Sequence, residues 1–121
     1  MDDEAGNSFS RSLRLTVASD YSRVFKKNFR IADDCMTLLV NVSGREQPRL
    51  GFAIAKKQIR RAVDRNRIKR LMRESFRLNQ QRLPGTDIVF MVRPGILRLS
   101  HSQIFARLDG HWQKIISKCA N

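Results

Sequence analysis

The most distinctive chemistry in the sequence lies in the segment RRAVDRNRIKRLMRESFR, residues 60–77, where eight of eighteen side chains are Arg or Lys. Only Asp64 and Glu74 offset this charge within the segment. Arginine outnumbers lysine here, and its planar guanidinium group suits bidentate contact with phosphates and stacking on bases. The segment therefore predicts a surface for a polyanion, with nucleic acid as the first choice and an anionic membrane surface as the second.

The composition of the whole chain favours the same kind of partner. Its 121 residues carry a net charge of +13, and a hydrophobic content of 41% is enough for the core of one domain. The longest nearly apolar runs, MTLLVNV and DIVFMV, are far shorter than the roughly 20 residues of a membrane-spanning helix. The sequence opens MDDEAGNS, which is acidic and unlike a signal peptide. We therefore expect a cytoplasmic protein that binds nucleic acid and no membrane.

The basic segment has the periodicity of a helix with two different sides. Its apolar residues collect on one side at 100° per residue and predict docking on a sheet: Ile68, Leu71, Met72, Phe76 and Leu78. Basic residues recur at every fourth position and form a ridge: Arg61, Arg65, Lys69, Arg73 and Arg77. Arg67 and Arg70 are expected to widen this basic ridge, and Arg65 and Arg70 are expected to face solvent. Asn66 is either an ordinary surface residue or a directed amide contact to a phosphate, sugar or base.

The alternative for the basic ridge is a solvated helix face with no partner. Solvated faces usually mix charges of both signs, and like charges four residues apart repel by a few tenths of a kcal/mol, roughly. This segment does not mix its signs, so the sequence favours RNA or DNA binding over the solvated face.

The remaining periodicities predict an α+β fold in one domain, residues 11–121, after a disordered acidic tail, residues 1–10. Ser19 is expected to cap a short helix that has Tyr21 and Phe25 on one face. Strands are expected at residues 35–43 and 49–55, joined as a hairpin, and at residues 86–92. The basic helix should run over residues 61–81, and Ser100 should cap a final helix. The apolar face of that last helix comprises Ile104, Leu108, Trp112, Ile115 and Ile116. The strand, helix and strand within residues 49–92 fit a parallel crossover, for which general rules predict a right hand.

The sequence offers no recognisable catalytic or metal site. His101 and His111 have no evident acidic partner, and no pair of carboxylates has a metal-binding spacing. Cys35 and Cys119 lie too far apart for a metal-ligand motif, and we expect buried free thiols. The sequence therefore predicts no catalytic residues and no metal ligands in this chain.

Residues 53–77, AIAKKQIRRAVDRNRIKRLMRESFR, closely resemble the arginine-asparagine-arginine signature of the bacterial ribonuclease P protein subunit. The likeness extends to PRLGFAIAKK, to LPGTDIVFMV and to two aromatic residues four apart near the N-terminus, and it excludes residues 1 to about 10. It implies a small basic subunit that binds one catalytic RNA, with which it removes 5′ leaders from precursor tRNA. It also implies that the RNA performs the cleavage and that Mg²⁺ is held mainly by the RNA and substrate.

The resemblance assigns site residues by their positions in the signature. The residues expected to contact the catalytic RNA are Lys57, Arg61, Arg65, Asn66, Arg67, Lys69, Arg70 and Arg73. Tyr21, Phe25 and Lys56 are expected to contact the leader. Phenylalanine is commoner in the family at the position of Tyr21, and the strand MTLLVNV lacks a tyrosine that some relatives carry. The alternative for both aromatic residues is core packing against the sheet.

The resemblance also implies a fold and leaves two other functions to exclude. The family fold is a small α-β sandwich, a four-stranded sheet with three helices and a left-handed βαβ crossover, contrary to the general rule. It needs an additional strand near Arg30 and Ile31. A basic ribosomal protein of the same fold is the alternative function, from which the aromatic pair and the spacing of KK to RNR distinguish this chain. A protein-only nuclease would require a metal site that the sequence does not provide.

Overall fold

A computed structural model describes residues 13–120 of the protein, and the predicted disordered tail lies outside this range. The described chain contains three α-helices and four strands. In chain order they are α1 (Ala18–Lys26), β1 (Phe29–Ala32), β2 (Met36–Val42), β3 (Arg49–Phe52), α2 (Ala62–Asn79), β4 (Thr86–Val92) and α3 (His101–Cys119). A 3₁₀ helix, Pro94–Arg98, precedes α3. The predicted α+β fold is confirmed, and β1 supplies the additional strand expected near Arg30 and Ile31.

The four strands form one mixed sheet in the order β1-β2-β4-β3. β2 pairs antiparallel with β1 and with β4, whereas β3 runs parallel to β4. The predicted hairpin over residues 35–55 is therefore wrong, because β4 lies between β2 and β3. The reason is burial: six of the seven residues of β4 are buried, so this strand needs neighbours on both sides and cover on both faces. The parallel crossover from β3 through α2 to β4 is as predicted.

One face of the sheet packs against α2 and α3. The rings of Phe76 and Phe90 each meet the fully buried Trp112 edge to face, with centroids 6.0 and 5.9 Å apart. The indole N–H of Trp112 donates to the Ser75 hydroxyl at 2.9 Å. Leu78 does not join this core as predicted and is 61% exposed, because it lies two residues, or about 200°, around the helix from Phe76.

The two caps predicted from serine residues have different outcomes. Ser100 caps α3 as predicted: its hydroxyl accepts from the N–H of Gln103, whose side chain accepts from the N–H of Ser100. Ser19 does not cap α1 and lies within it, because the helix begins at Ala18 after the N-cap residue Val17. Val17 has no capping side chain, so the start of α1 depends on how the helix docks on the sheet.

α1 covers the opposite face of the sheet and is attached there by an ion network. The Arg49 guanidinium on β3 makes two hydrogen bonds of 2.9 Å to the fully buried Asp87 carboxylate on β4. It also reaches Asp20 on α1 at 3.3 Å, and Arg23 bonds both carboxylates. Although burial opposes ionisation of Asp20, Arg49 and Arg23 hold its pKa below the ordinary value. The network therefore fixes α1 against β3 and β4.

Candidate nucleic-acid interface

The basic residues of α2 divide between two flanks of the helix. Arg73 places its guanidinium 5.2 Å from the centroid of the Phe52 ring, so the flank that carries Arg73 borders β3. Arg65 and Lys69 precede it by eight and four residues on the same flank, and we call these three residues the β3-side flank. Arg67 lies about 160° around the helix from Arg65. It therefore does not widen the ridge as expected and points to the opposite side.

Arg73 is a half-buried cation in a positively charged neighbourhood. Burial lowers its pKa, and the nearby charge of Arg14 lowers it further. The stacking contact with Phe52 holds the guanidinium at the border between the helix and the sheet. Two arginines that raise the local positive potential at a partly desolvated position attract an anion such as a phosphate. Arg14 and Phe52 were not predicted as site residues, although Phe52 lies within the quoted motif PRLGFAIAKK.

Arg65 has an intramolecular role that the sequence did not reveal. It is half-buried instead of facing solvent, and its Nη1 atom donates to the carbonyl oxygens of Ile59 and Arg60 at 2.8 and 2.9 Å. These bonds join the first turn of α2 to the preceding loop. The same loop presents Lys56 and Lys57 to solvent, while the fully buried Ile59 anchors it. Arg65 therefore positions two lysines that belong to the predicted site.

Fewer cationic side chains of α2 are exposed and free of a carboxylate partner than the predicted basic ridge contains. Asn66 and Arg70 face solvent, and Lys69 is half-buried. Arg61 is exposed and lies 3.9 Å from Asp64, at the limit of an ion pair. Arg77 bonds Glu74 through two nitrogens, and this carboxylate raises the pKa of Arg77. Because Glu74 neutralises Arg77, the cationic surface of α2 ends at Arg73.

Tyr21 packs tightly against β3. Its ring lies over Gly51, where a Cβ atom would be only 2.7 to 2.9 Å from three ring and hydroxyl atoms. Its hydroxyl accepts from the backbone N–H of Phe52 at 3.1 Å and donates to the carbonyl of Leu15 at 3.3 Å. Gly51 is thus required by the close approach of the ring. The position agrees with the packing alternative for Tyr21, and its contact with a leader stays a prediction.

Phe25 has a different environment from Tyr21. It follows Tyr21 by one turn of α1, and it is 47% exposed. Val24 on the same helix belongs to an apolar cluster against which Tyr21, Ala53 and Met91 pack. A partly exposed aromatic ring is a suitable surface for stacking a base. The structure therefore brings Tyr21 and Phe25 to one face of α1 but leaves only Phe25 exposed.

A cluster of carboxylates outside α2 does not have the properties of a hard-cation site. Asp33, Asp34 and Cys35 lie together, but the Arg107 guanidinium reaches Asp34 at 2.6 Å and Asp33 at 3.2 Å. His111 Nε2 lies 2.7 Å from Asp33, so the expectation that His111 has no acidic partner is wrong. These two residues are 78 positions apart, and no local pattern could show the pair. The carboxylates thus fasten α3 to the loop between β1 and β2.

Neither cysteine is paired in the described structure. Cys35 is buried, as predicted, whereas Cys119 is half-buried at the end of α3. Burial raises the pKa of both thiols. Within residues 13–120, no helix combines the length and the apolar character that a bilayer crossing requires.

The sequence is similar to that of known proteins over most of its length. A family model described as Ribonuclease P matches residues 9–116. The ribonuclease P protein component of Pseudoalteromonas translucida is 45% identical over 92% of this chain and 79% of its own length. That of Haemophilus influenzae is 46% identical over 89% of this chain and 91% of its own.

Solved structures of RNase P proteins from two other bacteria have the same fold as this chain. A Staphylococcus aureus RNase P protein, a mutant described as defective in mRNA degradation, superposes with a TM-score of 0.79 at 28% identity and covers 88% of this chain and 90% of that one. The Thermotoga maritima RNase P protein gives a TM-score of 0.75 at 28% identity and covers 84% and 96%. The family model, the similar relatives and the shared fold together show that this chain belongs to the ribonuclease P protein family.

Proposed function

We propose that this chain binds the catalytic RNA of ribonuclease P through α2 and contacts the 5′ leader of precursor tRNA through the face that carries α1. The observation that supports the first contact most strongly is Arg73, a half-buried guanidinium beside a second arginine, on the same helix as the exposed Asn66 and Arg70. Phosphate contacts of this kind position an RNA and give binding its dependence on salt. The predicted set of RNA-binding residues is retained, with Arg65 also acting through the loop that it holds.

The proposed leader contact relies on Phe25 more than on Tyr21. A stacked base needs an open ring face, and Phe25 is about half exposed. Tyr21 gives one face to Gly51 and uses its hydroxyl for the backbone of β3. Lys56 is exposed in the loop after β3, where it would add positive charge to the path of the leader. In this proposal Tyr21 holds α1 against β3, and Phe25 supplies the stacking surface.

We assign the cleavage chemistry to the RNA. The one described cluster of carboxylates with a thiol is already engaged by Arg107 and His111, which is unsuitable for Mg²⁺ because that ion requires free oxygen ligands. Mg²⁺, when bound by the catalytic RNA and substrate, supplies the activation of the attacking water. The residues of this chain bind and orient RNA. One protein per catalytic RNA and a cytoplasmic location belong to the same proposal.

The decisive experiment compares cleavage of precursor tRNA by the protein alone, a bacterial ribonuclease P RNA alone, and both together at low Mg²⁺. We expect cleavage to require the RNA and to be increased by the protein. Cleavage by the protein alone would identify a protein-only nuclease. Failure to increase RNA-dependent cleavage would favour a ribosomal or other RNA-binding role.

Binding through α2 is tested by replacing one exposed arginine on that helix. Arg70→Ala should weaken binding of the catalytic RNA and make the slope of log affinity against log salt shallower by roughly one unit. Arg98→Ala removes one exposed charge from the 3₁₀ helix and is the matched control. Equal salt slopes for the two variants in a filter-binding titration would contradict the assignment of α2.

A further inference from the structure

A second basic surface lies at the sheet edge opposite to β3. A groove of about 480 Å³ runs between β1 and the second half of α3. Three cations border it: Arg30 on β1, and Lys114 and Lys118 on α3. The neutral side chains of Gln113 and Ser117 line it as well, and Ile31 and Ala32 complete the lining. The groove therefore combines positive charge with hydrogen-bonding groups, and none of its lining residues is acidic.

The cations of this groove are not explained by internal ion pairing. Within residues 13–120, no carboxylate lies within 4.0 Å of the charged nitrogens of Arg30, Lys114 or Lys118. Lys114 and Lys118 are four residues apart on one helix, a spacing at which like charges repel by a few tenths of a kcal/mol, roughly. The acidic residues nearest in sequence to Arg30, Asp33 and Asp34, are engaged by Arg107 and His111. An anionic partner would offset this repulsion between the unpaired cations.

Two features give the groove a defined shape. The Lys118 ammonium lies 5.3 Å from the centroid of the Phe29 ring, a contact that holds it above β1. β1 is an edge strand, so the backbone groups on its free side point away from β2 and are not used by the sheet. Side-chain cations and backbone N–H groups together are the usual donors for phosphate oxygens in nucleic-acid complexes.

We propose that this groove, bordered by Arg30, Lys114 and Lys118, is a second phosphate-binding site that holds a different segment of the RNA bound by α2. Three strand spacings of about 4.8 Å separate the backbones of β1 and β3, so the two basic surfaces lie about 14 Å or more apart. One phosphate cannot contact both. The protein then bridges two segments of a folded RNA, with the sheet as the spacer between them. This inference rests on the proposed function, since it takes the RNA partner from there.

The first test uses two double variants that lose the same charge. Lys114→Gln with Lys118→Gln alters the groove, and Arg93→Gln with Arg98→Gln removes two exposed charges elsewhere. Each full-length protein is titrated with a bacterial ribonuclease P RNA over a series of salt concentrations. We expect the groove variant to have a salt slope shallower by one to two units, roughly, and the control to match the wild type. Equal slopes for the two variants would show that only net charge matters and would overturn the inference.

The second test uses a thiol that the protein already has beside the groove. Cys119 adjoins Lys118 at one end of this surface, whereas Cys35, the only other cysteine, is buried. A thiol-linked iron chelate on Cys119 should cleave the bound RNA at nucleotides different from those cleaved from a probe on Asn66→Cys in a chain that also carries Cys119→Ser. The Cys119 cleavage should be lost in the groove variant. Absence of cleavage from Cys119 in a complex that the Asn66 probe does cleave would also overturn the inference.

The two proposals fail in different ways in these experiments. If the wild-type chain does not bind the RNA at all, the proposed function is wrong. If it binds, and Arg70→Ala weakens binding while the groove variant behaves as its control, the function stands and the second site does not exist. Both double variants replace exposed residues, so their thermal unfolding should match the wild type and exclude a folding defect.

Discussion

The hydroxyl of Tyr21 accepts a hydrogen bond from the backbone N–H of Phe52 at 3.1 Å, and through this bond α1 completes the edge of the sheet. Just before this point, the chain segment ahead of α1 pairs with β3 directly, since the N–H of Leu15 donates to the carbonyl of Leu50 at 3.0 Å. The hydroxyl also donates to the carbonyl of Leu15. It therefore bridges two backbones at the position where direct pairing ends.

This bridge predicts a loss of stability for Tyr21→Phe. The variant keeps the ring over Gly51 but leaves the N–H of Phe52 without its partner, a change that costs about 1 to 2 kcal/mol for a partly buried donor. Urea unfolding without RNA measures the change. Phe25→Leu on the same helix is the control and should alter the free energy of unfolding by less than about 0.5 kcal/mol. A Tyr21→Phe protein as stable as the wild type would show that the hydroxyl contributes nothing.

Arg65 should matter for stability as well as for RNA binding. Arg65→Ala removes two hydrogen bonds from a charged donor to the carbonyls of Ile59 and Arg60. Because the side chain is half-buried, we expect a loss of about 1 kcal/mol in the free energy of unfolding. Arg70→Ala, on the exposed side of α2, should cost less than about 0.5 kcal/mol. Denaturant unfolding of the two variants without RNA checks the difference, and equal stabilities would mean that the loop does not depend on Arg65.

The Asp20 carboxylate predicts a defined dependence of stability on pH. Its pKa is lowered in the folded state, despite burial, by Arg49 and Arg23. Because the pKa is lower in the folded state, the unfolded chain binds a proton at Asp20 more readily than the folded chain does. The contribution of the ionised Asp20 to the free energy of unfolding is therefore complete above the ordinary pKa of 3.8. It is lost as the pH falls through the lower pKa of the folded state.

Asp20→Asn tests this sign. The variant should be less stable than the wild type at pH 6, and the difference should shrink as the pH is lowered from 4 toward 2. Urea unfolding at a series of pH values measures it. Asp109→Asn, a change at an exposed residue of α3, is the control and should alter stability little across the series. A difference between wild type and Asp20→Asn that is constant over this range would rule out the linkage.

Local patterns in the sequence predicted the elements well and the partners of the strands less well. Residues 86–92 were predicted as a strand and form β4, because an apolar run between Pro-Gly pairs is a local signal. The pairing of β2 with β4 was missed, since it depends on cover from α1, α2 and α3 that no single segment specifies. The Asp33–His111 and Arg49–Asp87 pairs join residues 78 and 38 positions apart for the same reason.

The sequence signature predicted which residues belong to the site. Only the structure showed how these residues differ in burial and in their contacts. The basic residues of α2 were visible as a charge pattern, but the pattern could not show that Glu74 neutralises Arg77 or that Arg65 holds a loop. Tyr21 and Phe25 look alike in sequence, four residues apart on one helix face. Only the close approach of the Tyr21 ring to Gly51 separates the packed residue from the exposed one.

The exposed ring of Phe25 gives a prediction for leader recognition. Phe25→Leu keeps apolar bulk but removes the stacking surface, at a cost of about 1 to 3 kcal/mol per stacked base. Precursor tRNA should therefore bind the complete particle roughly 5- to 150-fold more weakly, while mature tRNA and the catalytic RNA bind as before. Val17→Ala, a change at another exposed apolar residue beside α1, is the control. Titrations with leaders of increasing length provide the measurement. If affinity increases with leader length as steeply in Phe25→Leu as in the wild type, the leader does not stack on this ring.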